Sequence, residues 1–457
     1  MNNLDNLRKK IIESKTFCFY PYLELSTNPA GHTRPCCYYD GFLYPDDKNW
    51  KEENDSDVLT IHTPGNTLEK IWETKNLQEL RRLMWNGDLP KGCLLCKRDG
   101  NASMRARSVT EYKNDIEVLQ LVDDTINNDF KVAHLPIRLE LKPSNLCNLK
   151  CTMCNSYDSS QIGKELTDLS KKFKGINVVS GRFNSINTDT EGITEHSKVF
   201  QAVPTTDYSE NVEIWNSFIA IVPTLRVLSF AGGEPTLLPF VNRALTYCVE
   251  NGYATNITVF IASNFTNLNK NFLDLMPHFK KFELIASIDG IEKIQEYARF
   301  PSKWSQISNN YLLAKQYMKH PNVKIVINIT VSILNVTNLD KLLYWIEERA
   351  NEFPYFSQWP FNINLLYGPH DQQINHLPDI TKQLCRDRLH KYLHDSVILK
   401  EFLGLDSKIH LILRELDKPA NKFLLDEFKM KTKIFDEHRN INIEEYIPDL
   451  KEIFNER

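Results

Sequence analysis

The sequence predicts an α/β fold in which a parallel sheet is preceded by a small α+β unit and followed by a helical tail. Six short apolar segments alternate with amphipathic stretches between about residues 131 and 370, a pattern typical of parallel strands joined by helices. Residues 1–130 hold half of the ten cysteines around a hairpin pattern, which indicates a separate unit. Residues 371–457 place Leu, Ile and Phe at helical spacing, so we expect helices there.

The composition is that of an ordinary globular protein, with 42% hydrophobic and 25% charged residues in a chain of 457. A formal net charge of −4 gives no signal for general nucleic-acid binding. Residues 1–15 predict an amphipathic helix rather than a signal peptide, and no apolar run is long enough to span a bilayer. We therefore expect a cytoplasmic protein, in which disulfides are rare and clustered cysteines bind metal.

The central region contains the predicted sheet. Its strands are expected at 137–141, 227–230, 257–261, 282–288, 323–331 and 361–367, with helices at 239–250, 269–280 and 339–350. Residues 155–225 interrupt the short path between the first two strands. We expect a helix at 161–173 and irregular polar sequence at 175–204, serving either substrate recognition or only as a mobile surface loop.

The N-terminal region reads as a hairpin followed by helices. A strand begins at Phe17, the turn Asn28-Pro-Ala-Gly31 follows, and a second strand covers residues 32–39. Helices are expected at 67–72 and 77–84, and residues 100–130 read as a connector. The cysteines form a four-sulfur set, made of Cys18, Cys36 or Cys37, Cys93 and Cys96. By spacing alone, that set fits zinc or an iron–sulfur cluster.

A second cysteine group follows the first strand of the central region. Cys147, Cys151 and Cys154 are spaced C-x3-C-x2-C, so three thiolates can converge on one soft metal centre. Three sulfurs are one fewer than a structural zinc or a closed cluster requires, which leaves a coordination position open. The alternative is a zinc site completed by a distant His or Cys. Cys248 and Cys385 are isolated and read as core thiols.

At this loop the chain resembles the radical S-adenosylmethionine (SAM) enzymes. The resemblance implies that Cys147, Cys151 and Cys154 hold a [4Fe–4S] cluster whose fourth iron is chelated by SAM. It also implies a partial (β/α)6 barrel with the site at the carboxyl ends of the strands. Met153 stands where the family often has an aromatic residue, and its polarisable thioether can still pack on an adenine ring.

Further motifs carry the same resemblance. Gly232-Gly233-Glu234-Pro235 follows the second strand and resembles the family's GGEP motif. It implies that the two glycines bind SAM by their backbone and that Glu234 binds its amine. The remaining expected SAM contacts lie at later strand ends: Ser263, Asn264, Ser287 and Arg299, with Asn335 as a further polar contact. The alternative for the fourth strand end is a helix cap by Asp289 beside a surface Arg299.

The N-terminal cysteines resemble the SPASM/twitch modules that hold an auxiliary [4Fe–4S] cluster in many radical SAM enzymes. The resemblance implies that Cys18, Cys36, Cys93 and Cys96 are its ligands. Cys36 is favoured over Cys37 because it directly follows Pro35. The usual module lies C-terminal to the core, whereas this one is N-terminal. The alternative is a structural zinc hairpin.

The resemblance implies reductive cleavage of SAM to a 5′-deoxyadenosyl radical that abstracts hydrogen from a substrate. We expect a peptide or protein substrate and an electron donor of the flavodoxin or ferredoxin type. Three alternatives stay open: a radical SAM dehydrogenase of a small alcohol, a radical methyltransferase, and a non-catalytic iron–sulfur or zinc sensor or scaffold. Glu234 and the Gly-Gly pair speak against the last, because merely holding metal requires neither.

Overall fold

The computed structural model describes residues 3–40, 59–61, 63–100, 103–172, 176–180, 198–202, 205–349, 361–396 and 405–455. The chain divides into two compact units, each discontinuous in sequence. The first comprises Met1–Asn145, Thr206–Phe260 and His278–Lys280, and the second comprises Leu146–Thr205, Ile261–Pro277 and Lys281–Arg457. Within the described ranges, no helix has both the length and the apolarity needed to cross a membrane.

Helices and strands alternate through most of the chain. The helices are α1 (Asn3–Glu13), α2 (Tyr20–Leu23), α3 (Leu68–Trp72), α4 (Lys75–Asn86), α5 (Leu94–Asp99), α6 (Met104–Tyr112), α7 (Ile116–Asn127), α8 (Ser160–Lys172), α9 (Val212–Ile221), α10 (Pro239–Glu250), α11 (Lys270–Leu275), α12 (Glu292–Ala298), α13 (Trp304–Lys315), α14 (Leu339–Glu348), α15 (Asp379–Asp395), α16 (Leu405–Leu416), α17 (Lys422–Arg439), α18 (Ile443–Tyr446) and α19 (Lys451–Asn455). The strands are β1 (Glu24–Thr27), β2 (Thr33–Arg34), β3 (Arg138–Leu141), β4 (Ile176–Ser180), β5 (Lys198–Ala202), β6 (Val227–Phe230), β7 (Thr258–Ser263), β8 (Lys281–Ser287), β9 (Val323–Val331) and β10 (Phe361–Leu365).

Eight strands form one sheet in the order β10-β9-β8-β7-β6-β3-β1-β2. β1 is parallel to β3, β3 to β6, β8 to β9 and β9 to β10, while β1 and β2 are antiparallel. The predicted α/β class with a mostly parallel sheet is therefore confirmed. Closure into a partial (β/α)6 barrel stays a prediction, as do the domain boundaries near residues 130 and 370.

The predicted elements of the central region agree closely with the observed ones. β6, β9 and α10 have the predicted bounds, and β3, β7, β8 and β10 differ from prediction by at most two residues at either end. α11 ends at Leu275, earlier than expected, because a short 3-10 turn containing Pro277 follows it. The helical tail is also observed, as α15 to α19.

The hairpin of the first unit is shorter than the sequence predicts. Residues 20–23 form α2 instead of a strand, because Pro21 occupies its first turn and suits a helix start better than a ladder. β2 covers only two residues, since Pro35 follows it and has no N–H to donate. The turn itself is as predicted: Gly31 has φ +76° and its N–H donates to the Asn28 carbonyl at 2.8 Å.

Two segments for which the sequence analysis expected no complete set of helices or strands contain regular structure. The predicted connector at 100–130 includes α6 and α7, and α7 buries Val118, Leu119 and Val122 in the core of the first unit. Within the supposed irregular segment 175–204, β4 and β5 form a separate two-stranded parallel sheet. Both strands are rich in β-branched or aromatic residues, a signal that the surrounding polar sequence obscures.

Candidate functional site

The loop that contains Cys147, Cys151 and Cys154 lies in the second unit and has no regular secondary structure. Cys151 is buried and the other two cysteines are half-buried. Cys147 and Cys151 both lie near enough to Cys154 to contribute to the raised pKa of its thiol, of which burial is the main cause. The structure therefore brings the predicted cluster ligands together.

Three hydrogen-bond donors point at these sulfurs. Cys147 Sγ accepts the N–H of Leu149 at 3.4 Å and lies 4.0 Å from Asn264 Nδ2. Cys151 Sγ lies 3.9 Å from Arg299 Nη1. Donors of this kind stabilise negative charge on sulfur, and they tune the potential of iron–sulfur clusters. Asn264 and Arg299, predicted from the sequence as SAM contacts, thus lie beside the cysteines.

Burial determines the protonation of the thiols. It raises the pKa of Cys151, against the opposing influence of the Arg299 charge. It raises the pKa of Cys154 further, and Asp158 adds to the effect. Without metal, both thiols are therefore protonated at neutral pH, and binding a metal must displace their protons.

Arg299 is held by an ion pair with Asp289. Its Nε donates to Asp289 Oδ2 at 2.7 Å, and the two side chains are 12% and 0% exposed. Asp289 Oδ1 accepts the N–H of Thr330 at 2.8 Å. The alternative interpretation, a helix cap beside a surface arginine, is wrong because Ile291, not Asp289, is the N-cap residue of α12 and the Arg299 side chain is only 12% exposed.

Asn335 bonds the backbone of Asp289 and of Thr330, the two residues that are themselves joined by a hydrogen bond. Its side-chain amide donates to the carbonyls of Asp289 and Thr330 at 2.7 and 2.8 Å, and it is 1% exposed. It therefore lies among backbone groups, and its expected contact with SAM stays a prediction. Ser287, the last residue of β8, is half-buried, as is Met153 in the cysteine loop.

The end of β7 is tied to the cysteine loop. Asn264 Nδ2 donates to Asn148 Oδ1 at 2.9 Å, and Asn148 Nδ2 donates to Thr266 Oγ1 at 2.7 Å. Ser263 is buried and its hydroxyl accepts the N–H of Phe265 at 3.1 Å. Asn264 thus meets the loop directly, whereas Ser263 supports the turn that follows its strand.

The Gly-Gly-Glu segment lies in the first unit, directly after β6. Gly232 and Gly233 have φ angles of +76° and +55°, and a Cβ on Gly232 would lie 2.7 Å from Lys142 Cβ. Glu234 is 1% exposed, and its Oε1 accepts from the N–H and hydroxyl of Thr236 at 3.2 and 2.6 Å. This turn is compact and fixed, as a backbone binding site requires.

The first unit also gathers the N-terminal cysteines. Cys18, Cys36, Cys93 and Cys96 are all buried, and the Cys18 thiol interacts electrostatically with the other three. Burial raises the pKa of Cys18 to about 12 and also raises those of Cys36 and Cys93. Ser108, which the sequence analysis missed, lies 3.4 Å from Cys18 Sγ. No local sequence pattern could have identified Ser108 as a neighbour of Cys18, because the two residues are 90 positions apart in the sequence.

Cys36 and Cys37 differ in what surrounds them. Cys37 is exposed, and its sulfur lies within 4.8 Å of carboxylate oxygens of Glu24 and Glu140. Glu24 already accepts from Arg138 Nε at 2.8 Å, so its negative charge is paired. The structure places Cys36, not Cys37, with the buried sulfurs, which favours Cys36 as the ligand.

Zinc and a four-iron cluster require different spacings of their sulfurs. A tetrahedral zinc bound at about 2.3 Å would hold its sulfurs about 3.8 Å apart, whereas a four-iron cluster holds its cysteines farther apart because each binds a different iron. Across the described ranges, the one group of three or more His, Cys, Asp or Glu side chains with ligand atoms all within 4.8 Å is Glu24, Cys37 and Glu140. The kind of metal at either predicted cysteine set stays a prediction.

Comparisons with known proteins give structural likenesses only. No protein-family description and no curated protein matches the chain. The chain is similar to Streptococcus suis SuiB bound to its precursor peptide SuiA, with 15% identity and a TM-score of 0.36, over 71% of this chain and 64% of that one. It is also similar to anSMEcpe with AdoMet and the Cp18Cys peptide, with 16% identity and a TM-score of 0.33, over 56% and 60%. The resemblance to radical SAM enzymes rests instead on the spacing of Cys147, Cys151 and Cys154 and on the Gly232-Gly233-Glu234 turn.

These likenesses cover less than two thirds of the length of either protein. SuiB has also been solved with S-adenosylmethionine, at 14% identity and a TM-score of 0.32.

Proposed function

We propose that this chain is a radical SAM enzyme that acts on a peptide or protein. The observation that carries the proposal is the loop of Cys147, Cys151 and Cys154. Three thiols converge there beside a guanidinium and an amide that donate to sulfur, and their C-x3-C-x2-C spacing supplies three sulfur ligands. Cys385, the other cysteine of the second unit, is buried in α15. Three protein sulfurs leave one iron of a cluster open to a ligand.

Cys147, Cys151 and Cys154 would hold a [4Fe–4S] cluster, which would supply the electron, received from an external donor, for reductive cleavage of SAM and radical abstraction of hydrogen from the substrate. The protein orients and protects these groups. Asn264 and Arg299 place positive partial or full charge against the sulfurs. Asp289 fixes the guanidinium of Arg299, so its direction does not depend on ligand binding.

We assign SAM binding to the residues that the resemblance indicates. Gly232 and Gly233 present backbone groups in a turn where both have positive φ and where Gly232 has no space for a Cβ. Glu234 lies in the same turn and has a carboxylate suited to an ammonium. The other proposed contacts are Met153, Ser263, Asn264, Ser287 and Arg299.

A second [4Fe–4S] cluster is proposed on Cys18, Cys36, Cys93 and Cys96. Four buried thiols complete its coordination, so it has no open iron for SAM. Its role is then to accept an electron from the substrate radical or to bind the substrate. We propose a peptide substrate because the modules that these cysteines resemble often occur in peptide-modifying enzymes. A flavodoxin or ferredoxin as electron donor and a cytoplasmic location complete the proposal.

Formation of 5′-deoxyadenosine tests the proposal. Anaerobically reconstituted, dithionite-reduced protein is expected to form it from SAM, and Cys151→Ala to form none because only two cysteine ligands remain. Cys248→Ala is the matched control, since it removes a buried thiol that belongs to neither set. Equal product from Cys151→Ala and wild type would refute the assignment. Loss of product in both variants would show that the assay reports folding rather than the cluster.

A further inference from the structure

The backbone on both sides of Cys151 is fixed by hydrogen bonds. The N–H of Lys150 donates to the Phe300 carbonyl at 2.6 Å, and the N–H of Thr152 donates to the Ala298 carbonyl at 2.9 Å. These two bonds attach the loop to the segment that follows α12. They leave two carbonyl groups, one on each side of the cysteine, to be bonded by other elements.

Side chains from the C-terminal part of the chain bond both carbonyls. Arg439 Nη2, at the end of α17, donates to the Lys150 carbonyl at 3.0 Å. Gln372 Nε2 donates to the Thr152 carbonyl at 2.8 Å. All four backbone groups that flank Cys151 thus have partners, and two of these partners lie more than 200 residues away in sequence.

Arg439 is itself fixed by a buried ion pair. Its Nε and Nη2 donate to the two carboxylate oxygens of Glu165, in α8, at 2.9 and 2.7 Å. The side chains of Arg439 and Glu165 are 3% and 0% exposed. The guanidinium also lies 5.1 Å from the Phe300 ring centroid and 5.0 Å from that of Phe435. A planar group bonded along one edge and enclosed by rings has little freedom to turn.

We propose that Arg439 is a positioning residue for Cys151, acting through Glu165 and the Lys150 carbonyl, with Gln372 in the same role on the other side. The proposal rests on the proposed function only in taking Cys151 as a cluster ligand. In this proposal α17, in the tail, and α8, between β3 and β6, act together, because their residues Arg439 and Glu165 hold the backbone next to Cys151 in place. A buried ion pair adds little to net stability compared with apolar packing, whereas its bidentate geometry fixes direction.

Alkylation of the full-length chain tests the proposal without any SAM chemistry. Protein freed of metal under anaerobic, reducing conditions is treated with iodoacetamide, and the rate at each cysteine is read by peptide mass spectrometry. Arg439→Gln is expected to speed alkylation of Cys151 by about tenfold, because a charge-assisted hydrogen bond no longer restrains the loop. Arg439→Lys should recover part of the protection. Lys433→Gln is the matched control, since it removes one positive charge from an exposed position of the same helix.

Cys385 serves as an internal reporter of folding because it is 0% exposed in the same unit. Faster alkylation at Cys151 with Cys385 still protected supports the proposal. An unchanged rate at Cys151 would overturn it. Equal acceleration at both cysteines would also overturn it, by showing that the ion pair supports the whole unit rather than the loop.

The reduction potential of the reconstituted cluster gives a second readout that a purely structural role would not produce. Arg439→Gln removes a positive charge and should shift the potential to more negative values, whereas Glu165→Gln removes a negative charge and should shift it to more positive values. Shifts of the same sign in both variants would contradict an oriented pair beside the cluster. If no cluster assembles in wild type, the proposed function fails, while the alkylation result still stands.

Discussion

At the scale of single residues, Arg299 connects the structural and chemical parts of the site. Its guanidinium neutralises the fully buried carboxylate of Asp289 and also lies near Cys151 Sγ. Asp289 and Cys151 outweigh the effect of burial and raise the pKa of Arg299, so the charge is permanent at any working pH. One cation thus has two anionic partners once the thiol is ionised.

Removing this cation should be costly. Arg299→Met leaves Asp289 as an unpaired buried charge, and we expect the free energy of unfolding of the metal-free protein to fall by about 3–5 kcal/mol in urea denaturation. The double variant Arg299→Met/Asp289→Asn should lose less, because asparagine can still accept from Thr330. Arg414→Met, at an exposed position of α16, is the control. Equal losses in the single and double variants would contradict the pairing.

The raised pKa of the Cys18 thiol predicts how the stability of the metal-free protein depends on pH. Burial raises its pKa from 9.0 to about 12, so between these values the folded state keeps a proton that the unfolded chain has lost. The metal-free protein should therefore lose about 1.4 kcal/mol of stability per pH unit from this thiol as the pH rises above about 9. Melting temperatures measured from pH 8 to 10.5 should fall less steeply for Cys18→Ala. If the melting temperatures of wild type and Cys18→Ala fall equally with pH, the Cys18 thiol does not cause the loss of stability.

At the scale of elements, two neighbouring strand ends fit closely together. Lys142 directly follows β3 and Gly232 follows β6, and these strands are parallel neighbours. The absence of a side chain at Gly232 lets the two turns touch, because a Cβ there would meet Lys142. The GGEP-like turn is thus fixed against the start of the segment that leads to the cysteines.

Gly232→Ala tests this contact against a matched glycine. Gly252 has φ +77°, nearly the same as Gly232, but a Cβ there would meet nothing within 4 Å. Both alanine variants should lose about 1 kcal/mol of stability from the left-handed backbone. Only Gly232→Ala should also weaken SAM binding to the reconstituted protein, by about tenfold, as measured by calorimetry. Similar binding by both variants would show that the contact does not shape the site.

At the scale of the whole molecule, seven cysteines form one set of three and one set of four, in different compact units. The division separates the proposed open cluster from the proposed closed one. It also makes each cluster testable without the other.

The iron content of the reconstituted protein tests whether each of the two cysteine sets holds a cluster. The reconstituted wild type is expected to hold about eight irons per chain, and the variant with Cys147, Cys151 and Cys154 all changed to alanine about four. Elemental analysis after gel filtration, with zinc measured in the same sample, checks both numbers. Tightly bound zinc with only one cluster's iron in the wild type would contradict the auxiliary cluster. About eight irons in the triple variant would contradict the core assignment.

Much of the fold could be predicted from local patterns. β9 and α10 have the predicted bounds because alternation of apolar residues and helical periodicity are properties of a short segment. The sequence analysis assigned no helix within the connector at 100–130, although α7 carries a helical apolar stripe. The start of the first strand was wrong because burial of successive aromatic residues, not alternation, determines that segment.

The sequence by itself determined which residues are candidates for the chemistry of this protein, because cysteines at ligand spacing and a Gly-Gly-Glu turn are local features that can be recognised without the fold. Only the tertiary structure decided which neighbours they have. Cys36 and Cys37 are adjacent in sequence, and their different surroundings depend on how the chain turns after β2. Arg439 and Gln372 meet the cysteine loop from distant helices and turns. A hydrogen bond between such distant residues leaves no periodic pattern in the sequence of either segment. It can therefore be found only in the folded structure.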